Sequence, residues 1–500
     1  MSFLLTVEEM YQADRAAVEL GVKSLVLMEA AGYSVAREIK KRWPSQPVTV
    51  LCGPGNNGGD GFVIARCLSE DNWPVRVGLL GEVARLKGDA AVNAQRWTES
   101  GQIIERLTLD LLEGNPLVVD ALFGAGLSRG LQGFVAELIE EVNNRRLTSV
   151  AVDIPSGVNG NTGEVMLPQM ADEAGIAVES NLTVTFFRPK PGHYLLPGKR
   201  YCGELAVNDI GIPETVLEKI CPIVSVIGPD AWELPSFRLL DHKYSRGHAV
   251  VFGSKKMSGA ARLAASAARR VGAGLVTVAA PEDSMFLYVK DAPGLLFNPV
   301  DSSEDLRKIL AEPRCNGVAI GPGYGVGFET SQRVLDVLKT NKACVLDADA
   351  LSSFQSEPER LFQAITHRPG GATTIMTPHE GEFKRIFEVA GAKTKRALLA
   401  SELSGAIIVY KGNDTVVAAP DGRIALNINA PPWLATGGSG DVLTGLILGL
   451  LVQGMSAWDA ACAAVWLHSE AAQEYGSGMI AEDLIGAVPL ILRQLTSDLR

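Results

Sequence analysis

The residue order predicts an α/β protein of two domains, each a mostly parallel sheet covered by helices on both faces. Five short β-rich runs alternate with helix-like stretches in the first half, and a second series of the same kind follows in the other half. Between them, Ile212 to Tyr244 carries Pro213, Pro222, Pro229 and Pro235 and has no strand–helix rhythm. At 500 residues the chain also exceeds the length at which one hydrophobic core keeps growing. The junction is therefore expected near residue 225, giving domains 1–225 and 226–500.

Thr6-Val7-Glu8-Glu9 has the spacing of a capping box, and Met10, Ala13, Ala17 and Leu20 then recur on one face, which predicts an opening helix. Strands are expected at Val48–Cys52, Val75–Leu80, Leu117–Leu122, Ser149–Ile154 and Leu182–Phe187, with helices such as Phe62–Ser69 and Phe134–Asn143 between them. The second series runs through His248–Gly253, Leu275–Ala279, Gly317–Ile320, Cys344–Leu346, Thr374–Thr377 and Ile407–Tyr410, and ends in a helical region from Val442 onward.

With 46 Lys and Arg against 57 Asp and Glu, the net charge of -11 gives no general attraction to nucleic-acid backbones or anionic lipid. Seven cysteines without a CxxC pair do not form a disulfide framework and suit a reducing cytosol. The first residues lack the regions of an export signal, and the longest apolar run, Val442 to Met455, is short and glycine-interrupted. A cytoplasmic protein acting on small molecules is expected, with no nucleic-acid or membrane partner; homo-oligomerisation is left open.

The first strand runs into Gly53-Pro54-Gly55-Asn56-Asn57-Gly58-Gly59-Asp60-Gly61, a place where backbone amides can approach a phosphate. Gly53, Gly55 and Gly58 formally satisfy GxGxxG. The next strand, however, ends near Gly81 with only Glu82 as a ribose acid, so a hydride-transferring dehydrogenase is a secondary reading. The amide and carboxylate oxygens of Asn56, Asn57 and Asp60 offer hard ligands that a plain phosphate loop does not need. Turn formation alone is the lesser of the two readings of that loop. Two more strand ends carry acids, Asp120 before Gly124-Ala125-Gly126-Leu127-Ser128-Arg129-Gly130 and Asp153 before Ile154-Pro155-Ser156-Gly157. A lone acid there is usually a helix cap, but three such clusters should converge at one sheet edge.

These blocks, in this order, resemble the NAD(P)HX epimerase (YjeF N-terminal) family over about residues 1–215, together with the PKPG, CGE and DIGIP blocks that follow. The resemblance implies a Rossmann-like three-layer αβα domain. It further implies that Asn56, Asn57, Gly58, Gly59 and Asp60, Gly124 to Gly130 (with Ala125, Gly126, Leu127, Ser128 and Arg129 between) and Asp153 touch hydrated cofactor. Asn57, Asp120 and Ser156 would bind K+, and Asp153 would handle the proton.

In the second half, Ala435-Thr436-Gly437-Gly438-Ser439-Gly440-Asp441 leads straight into an apolar helix. Small residues there leave amides facing outward, where a phosphoryl group is stabilised. Asp441 beside an anion hole is better explained as a base on a substrate hydroxyl than as a cap. No GxxxxGK[ST] loop occurs. The GGSGD arrangement resembles the ribokinase-like superfamily and, within it, residues 240–495 resemble the ADP/ATP-dependent NAD(P)HX dehydratase family. That likeness is carried by Lys243 to His248, Ser258 to Ala261, Ile320 to Gly325, Asp347 to Leu351, Thr377 to Phe383 and Lys411 to Thr415. It implies a ribokinase-like αβα domain in which Ala260, Gly323, His379 and Asp441 contact the hydrate. Lys411, Gly412, Asn413, Asp414, Thr415 and Gly440 would contact ADP or ATP, with Mg2+ on the donor phosphates. Glu380 and Glu382 are candidate water-mediated contributors to that ion. One stretch departs from the family's usual Gly-Asn-x-Gly-Met, reading Ala430-Pro431-Pro432-Trp433-Leu434.

The implied whole is a bifunctional enzyme that epimerises the R and S hydrates of NADH and NADPH and dehydrates the S form. Two alternatives fit the same motifs: a small-molecule alcohol kinase fused to a nucleotide-sensing domain, and a non-catalytic nucleotide-binding scaffold.

Overall fold

The computed structural model describes residues 2–168, 175–236, 238–290 and 292–497. The chain divides into two compact units: Phe3–Val224 forms one, and Ser225–Arg500 makes up the bulk of the other.

The first unit is built on a parallel sheet of seven strands: β1 (Val48–Cys52), β2 (Val75–Leu79), β3 (Glu105–Arg106), β4 (Leu117–Ala121), β5 (Thr148–Val152), β6 (Leu182–Phe186) and β7 (Glu204–Asn208). Their order across the sheet is β3-β2-β1-β4-β5-β6-β7. It is the doubly wound Rossmann order with one strand added, and the direction of winding reverses between β1 and β4. Every residue of β1, β4 and β6 is buried, as expected for strands covered on both faces. Around the sheet lie α1 (Val7–Glu19), α2 (Ser24–Arg42), α3 (Asn56–Glu70), α4 (Gly88–Glu99) and α5 (Phe134–Asn144). The capping box of α1 is formed: the Thr6 hydroxyl accepts from the Glu9 amide at 3.2 Å, and the Glu9 carboxylate accepts from the Thr6 amide at 2.7 Å.

One boundary differs in a way that matters. The expected helix from Phe62 begins six residues earlier, at Asn56, so Asn56 to Asp60 form its first turn rather than an open loop. Three glycines in six residues ought to weaken a helix, but their missing side chains let α3 lie directly on the sheet. A Cβ at Gly58 would overlap the Gly53 carbonyl, and one at Gly61 would press on Cys52 and Ala121. Packing outweighs propensity here.

The second unit is also a layered α/β structure. Its strands are β8 (His248–Phe252), β9 (Leu275–Ala280), β10 (Leu296–Pro299), β11 (Gly317–Ile320), β12 (Ala343–Leu346), β13 (Thr374–Met376), β14 (Ile407–Tyr410), β15 (Val416–Ala418) and β16 (Ile424–Leu426). They are ordered β16-β15-β14-β13-β12-β11-β8-β9-β10, parallel from β14 to β10 and antiparallel at β15 and β16. The helices that frame its site are α6 (Ser258–Arg270), α7 (Glu380–Ile386), α8 (Lys393–Ser404), α9 (Ser439–Val452), α10 (Ala457–Tyr475) and α11 (Ala481–Ser497).

All eleven residues from Val442 to Val452 are buried, which explains the longest apolar run as a core helix. Among the described residues no helix is long and apolar enough to cross a membrane. The helix packs so closely on α6 that a Cβ at Gly445 would collide with the Ala264 carbonyl oxygen. Gly445→Ala should therefore destabilise the second unit by about 1–3 kcal/mol through overpacking, read as a shifted urea midpoint for that unit; an unchanged midpoint would contradict this packing.

Candidate functional sites

In a parallel α/β sheet the crevice beyond the strand C-termini, at the reversal of winding, is where ligands sit. In the first unit that crevice lies beyond β1, β4 and β5, whose register pairs Leu51 with Asp120 and Asp120 with Ala151. A cavity of about 900 Å³ opens there, within the range of small-molecule sites.

Of the residues expected at this site, Asn56, Asn57, Asp60, Asp153 and the run Gly124 to Arg129 line the cavity. Gly58 and Gly59 do not; they are buried against Gly53 and against Met28 and Ala90. Gly130 is likewise turned away, its amide donating to the Leu167 carbonyl at 3.0 Å. Asp120 and Ser156 lie beneath the floor, 1% and 0% exposed.

Asp153 follows β5 in the left-handed region, with φ of 69°, an unusual conformation for a residue with a side chain. It is fixed from several directions. Its carboxylate pairs with the Lys190 ammonium and accepts from the Thr185 hydroxyl at 3.1 Å and the Ala125 amide at 3.0 Å. A Cβ on Gly124 would come within 3.1 Å of both Asp153 Oδ2 and Asn57 Oδ1, so the bare glycine marks where amide and carboxylate converge. His193 completes the support. Its Nδ1 accepts from the Lys190 amide at 2.9 Å, so Nε2 carries the proton and donates to the Asp153 carbonyl at 2.8 Å.

The carboxyls around this cavity are driven in opposite directions. Burial raises Asp153, but the Lys190 charge and hydrogen bond more than reverse it, leaving the group below its ordinary value. Asp60, buried and facing Asp153 and Asp14 without such a cation, is raised well above the carboxylate range. Asp14, on α1, is pushed up to about 6, chiefly by burial. Below them, Asp120 accepts from the Ser156 hydroxyl at 2.7 Å, the Ser156 amide at 2.8 Å and the Leu122 amide at 3.3 Å. Burial outweighs these bonds and raises it to about 6. The Asn57 amide nitrogen beside this cluster is buried with no hydrogen-bond partner.

The residue order alone gives no role to Lys190, Thr185, His193 or Asp14. Lys190 sits in the PKPG block, but only the fold shows that its ammonium, 3% exposed, is turned inward onto Asp153.

In the second unit, the amide-rich end of α9 is the centre of the site. Gly438 caps the helix at φ of 91°, and Gly440 and Asp441 stand in the first turn, where a helix leaves its amides without internal partners. Burial, then the neighbouring Asp347, raises Asp441 to about 7 against the pull of Lys411. The Lys411 ammonium lies 3.3 Å from where a Gly440 Cβ would be, 2.7 Å from Asp347 Oδ1 and 3.9 Å from Glu382 Oε2. Ala260 and Gly323 are also brought together: a Cβ on Gly323 would be 3.2 Å from that of Ala260.

His379 caps α7, its Nδ1 accepting from the Gly381 and Glu382 amides at 2.9 and 3.2 Å while its ring stays half exposed. Asp414 and Thr415 are buried, the former paired with Lys393 and the latter closing a turn on Gly412 at 2.7 Å. They shape the loop, whereas Gly412 is exposed and Asn413 half-buried. Glu380 is engaged by Tyr410, Arg396 and Lys384, which together overcome burial and lower it to about 2. Glu382 closes the α7 cap and faces Lys411.

Comparison with known proteins agrees with both halves. Residues 24–192 match the family described as YjeF-related protein N-terminus, and residues 248–489 match NAD(P)H-hydrate dehydratase. A protein of Coxiella burnetii named bifunctional NAD(P)H-hydrate repair enzyme Nnr is 35% identical over 97% of this chain and 98% of its own length. A Thermofilum pendens protein of the same name is 36% identical over 98% and 96%. Among solved structures, an ADP/ATP-dependent NAD(P)H-hydrate dehydratase from Bacillus subtilis, co-crystallised with ATP and Mg2+, is 30% identical. It covers 54% of this chain and 99% of its own, with a TM-score of 0.48.

The buried His193 supplies a test of the first site's support. Burial and Lys190 lower it to about 4 from an ordinary 6.5. A depressed base favours the folded state above its unfolded value and loses that advantage as pH falls through its folded value. Between pH 6.5 and 4, the wild type should lose up to ~3 kcal/mol more than His193→Gln in the transition of the first unit. Parallel pH profiles for the two proteins would contradict a neutral, buried imidazole.

Proposed function

The chain belongs to the bifunctional NAD(P)H-hydrate repair enzymes, and from that premise we propose that its two units divide the repair between the two sites just described. The first interconverts the R and S hydrates of NADH and NADPH. The second dehydrates the S form to NAD(P)H at the expense of a nucleoside polyphosphate, ADP or ATP. The observation that carries the assignment is the pair of carboxyls, Asp153 and Asp441, one at each strand-edge site.

In the first unit the ring-nitrogen lone pair of the hydrate expels the hydroxyl, leaving an iminium to which water returns on either face. Asp153, kept ionised by Lys190, takes the proton of the incoming water. By microscopic reversibility the same carboxyl returns that proton to the hydroxyl that leaves. The oxygens of Asn57, Asp120 and Ser156, with Asn57 Oδ1 turned toward Gly124 and the Ser156 hydroxyl bonded to Asp120 beneath it, are hard donors of the kind a potassium ion takes. Such an ion would fix the loop and offset the negative charge under the floor.

In the second unit the hydrate's hydroxyl oxygen attacks the terminal phosphorus of the donor while Asp441 takes the hydroxyl proton. The phosphorus–oxygen bond to the leaving nucleotide breaks with its electron pair on the nucleotide oxygen. The C–O bond then breaks, phosphate departs with that pair, and proton loss from the neighbouring carbon restores the dihydropyridine. The α9 amides face the transferred group. Mg2+, when bound with the donor, neutralises phosphate charge; of the two glutamates considered, Glu382 stands nearer the hole and would reach the ion through water.

Asp153→Ala should abolish interconversion of separated R and S hydrates while leaving dehydration of supplied S hydrate intact. Asp441→Asn should do the reverse, lowering kcat for dehydration on the order of 10²–10⁴-fold with epimerisation preserved. Either variant retaining the activity assigned to its carboxyl would remove that residue from the mechanism. Because a base must be ionised, kcat/KM for dehydration should rise with pH through about 7 and level above it; a profile flat from pH 6 to 8 would argue against Asp441.

A further inference from the structure

Lys411 belongs by resemblance to the nucleotide loop, but its charged end is turned elsewhere. β14 ends at Tyr410, and the Lys411 amide donates to the Pro378 carbonyl at 2.9 Å, fixing the side chain's starting point. From there the ammonium reaches Asp347 Oδ1 at 2.7 Å, beside the helix start at Gly440. Asp347 is 1% exposed and follows β12. Its second oxygen, Oδ2, accepts from the Thr444 hydroxyl at 2.7 Å, and Thr444 is 0% exposed. Thr444 lies on α9, three residues beyond Asp441 and so on the same face. The connections close a ring: α9 orients Asp347 through Thr444, Asp347 holds Lys411, and Lys411 returns to the N-terminus of α9.

We propose that Asp347 and Thr444 are positioning residues that hold the Lys411 ammonium over the glycine hole, where it stabilises charge on the phosphoryl group in transit. The proposal rests on the dehydratase reading and adds to it three residues with distinct tasks. An ammonium without this brace would sample many rotamers of its four-carbon stem. With one oxygen of Asp347 already bonded to Thr444, the other is left to set the lysine's direction. The arrangement also keeps Lys411 from pairing tightly with Asp441, whose carboxyl must remain available to the substrate hydroxyl. As the phosphorus–oxygen bond to the nucleotide breaks and charge gathers on the oxygens around phosphorus, the fixed cation and the α9 amides face it from one side.

The test uses the full-length chain with S hydrate, ADP and Mg2+, comparing Lys411→Gln, Thr444→Val, their double variant and Thr444→Ser. Lys411→Gln should lower kcat on the order of 10²-fold, as loss of one preorganised donor does, with a much smaller change in KM for ADP. Thr444→Val, close to isosteric, should lower kcat about tenfold alone and add nothing to Lys411→Gln, because its effect passes through the lysine. Thr444→Ser should restore turnover. Three results would overturn the proposal: losses that multiply in the double variant, a Lys411→Gln defect confined to KM for ADP, or a serine variant no better than valine. Thermal unfolding of each variant separates a weakened fold from a displaced ammonium. A wild-type chain that regenerates no NAD(P)H would instead overturn the underlying reading, and it is distinguished before any variant is compared.

Discussion

In both units a glycine that directly follows a strand is pressed against the carbonyl oxygen that follows the neighbouring strand, and each site depends on that approach. Gly53, after β1, meets the Leu122 carbonyl beyond β4; Gly321, after β11, meets the Asp347 carbonyl beyond β12. No side chain fits at either position. The consequence is that two strand ends leave the sheet at nearly one point, so groups 96 residues apart in the first unit, Asn57 and Asp153 flanking Gly124, come into contact range. Without that crossing the strand ends would splay and the convergence of acid, amide and cation would be lost.

The two sites use the same ingredients, a carboxyl and a buried lysine, to opposite ends. In the first, Lys190 pairs directly with Asp153 and holds it ionised far below neutrality. In the second, Lys411 is taken by Asp347, and Asp441, raised first by burial and then by the negative charge of Asp347, Asp349 and Glu382, titrates near neutrality. In the proposed mechanism, direct pairing leaves an anion that trades a proton with water, and indirect placement leaves a stronger base for the substrate hydroxyl. Which acid the lysine touches decides which chemistry the site can run.

Much of this was legible in the residue order, and the remainder was hidden for physical reasons. Short, predominantly apolar runs of four or five residues, as in β1, β4, β11 and β14, mark buried parallel strands. The strands β15 and β16 span three residues each, too short for any period to register, although Asp421-Gly422 between them is a turn signal. The start of α3 was hidden because a run of glycines reads as a loop unless the surface beneath it is known. Lys190, Asp347 and Thr444 were hidden differently: each is an ordinary residue whose meaning lies in the direction of its side chain, and topology alone supplies that direction. The acids at strand ends were visible because the parallel sheet puts every such end on one edge.

The departure at Ala430 to Leu434 comes with anchoring of its own. That stretch leads into the glycine hole, and α10 holds it at Trp433 and holds the residues on either side of it. Asn427 donates to the Ser469 hydroxyl at 2.9 Å, Asn429 to Glu470 at 2.6 Å, and Gln473 to the Asn429 carbonyl at 2.6 Å. Trp433 then donates its indole N–H to the Ala472 carbonyl at 2.8 Å, and the imidazole of His468, buried and lowered to about 4, bonds the backbone of Ser439. Two prolines restrict the chain between these anchors, their rings limiting φ, which is -81° at Pro431. The usual pattern would rely on flexible glycines to enter the hole; here rigid residues tied to one helix do so. In the proposed reaction Gly438 to Asp441 must begin α9 at a fixed point, and five bonds to α10 anchor the segment that leads there.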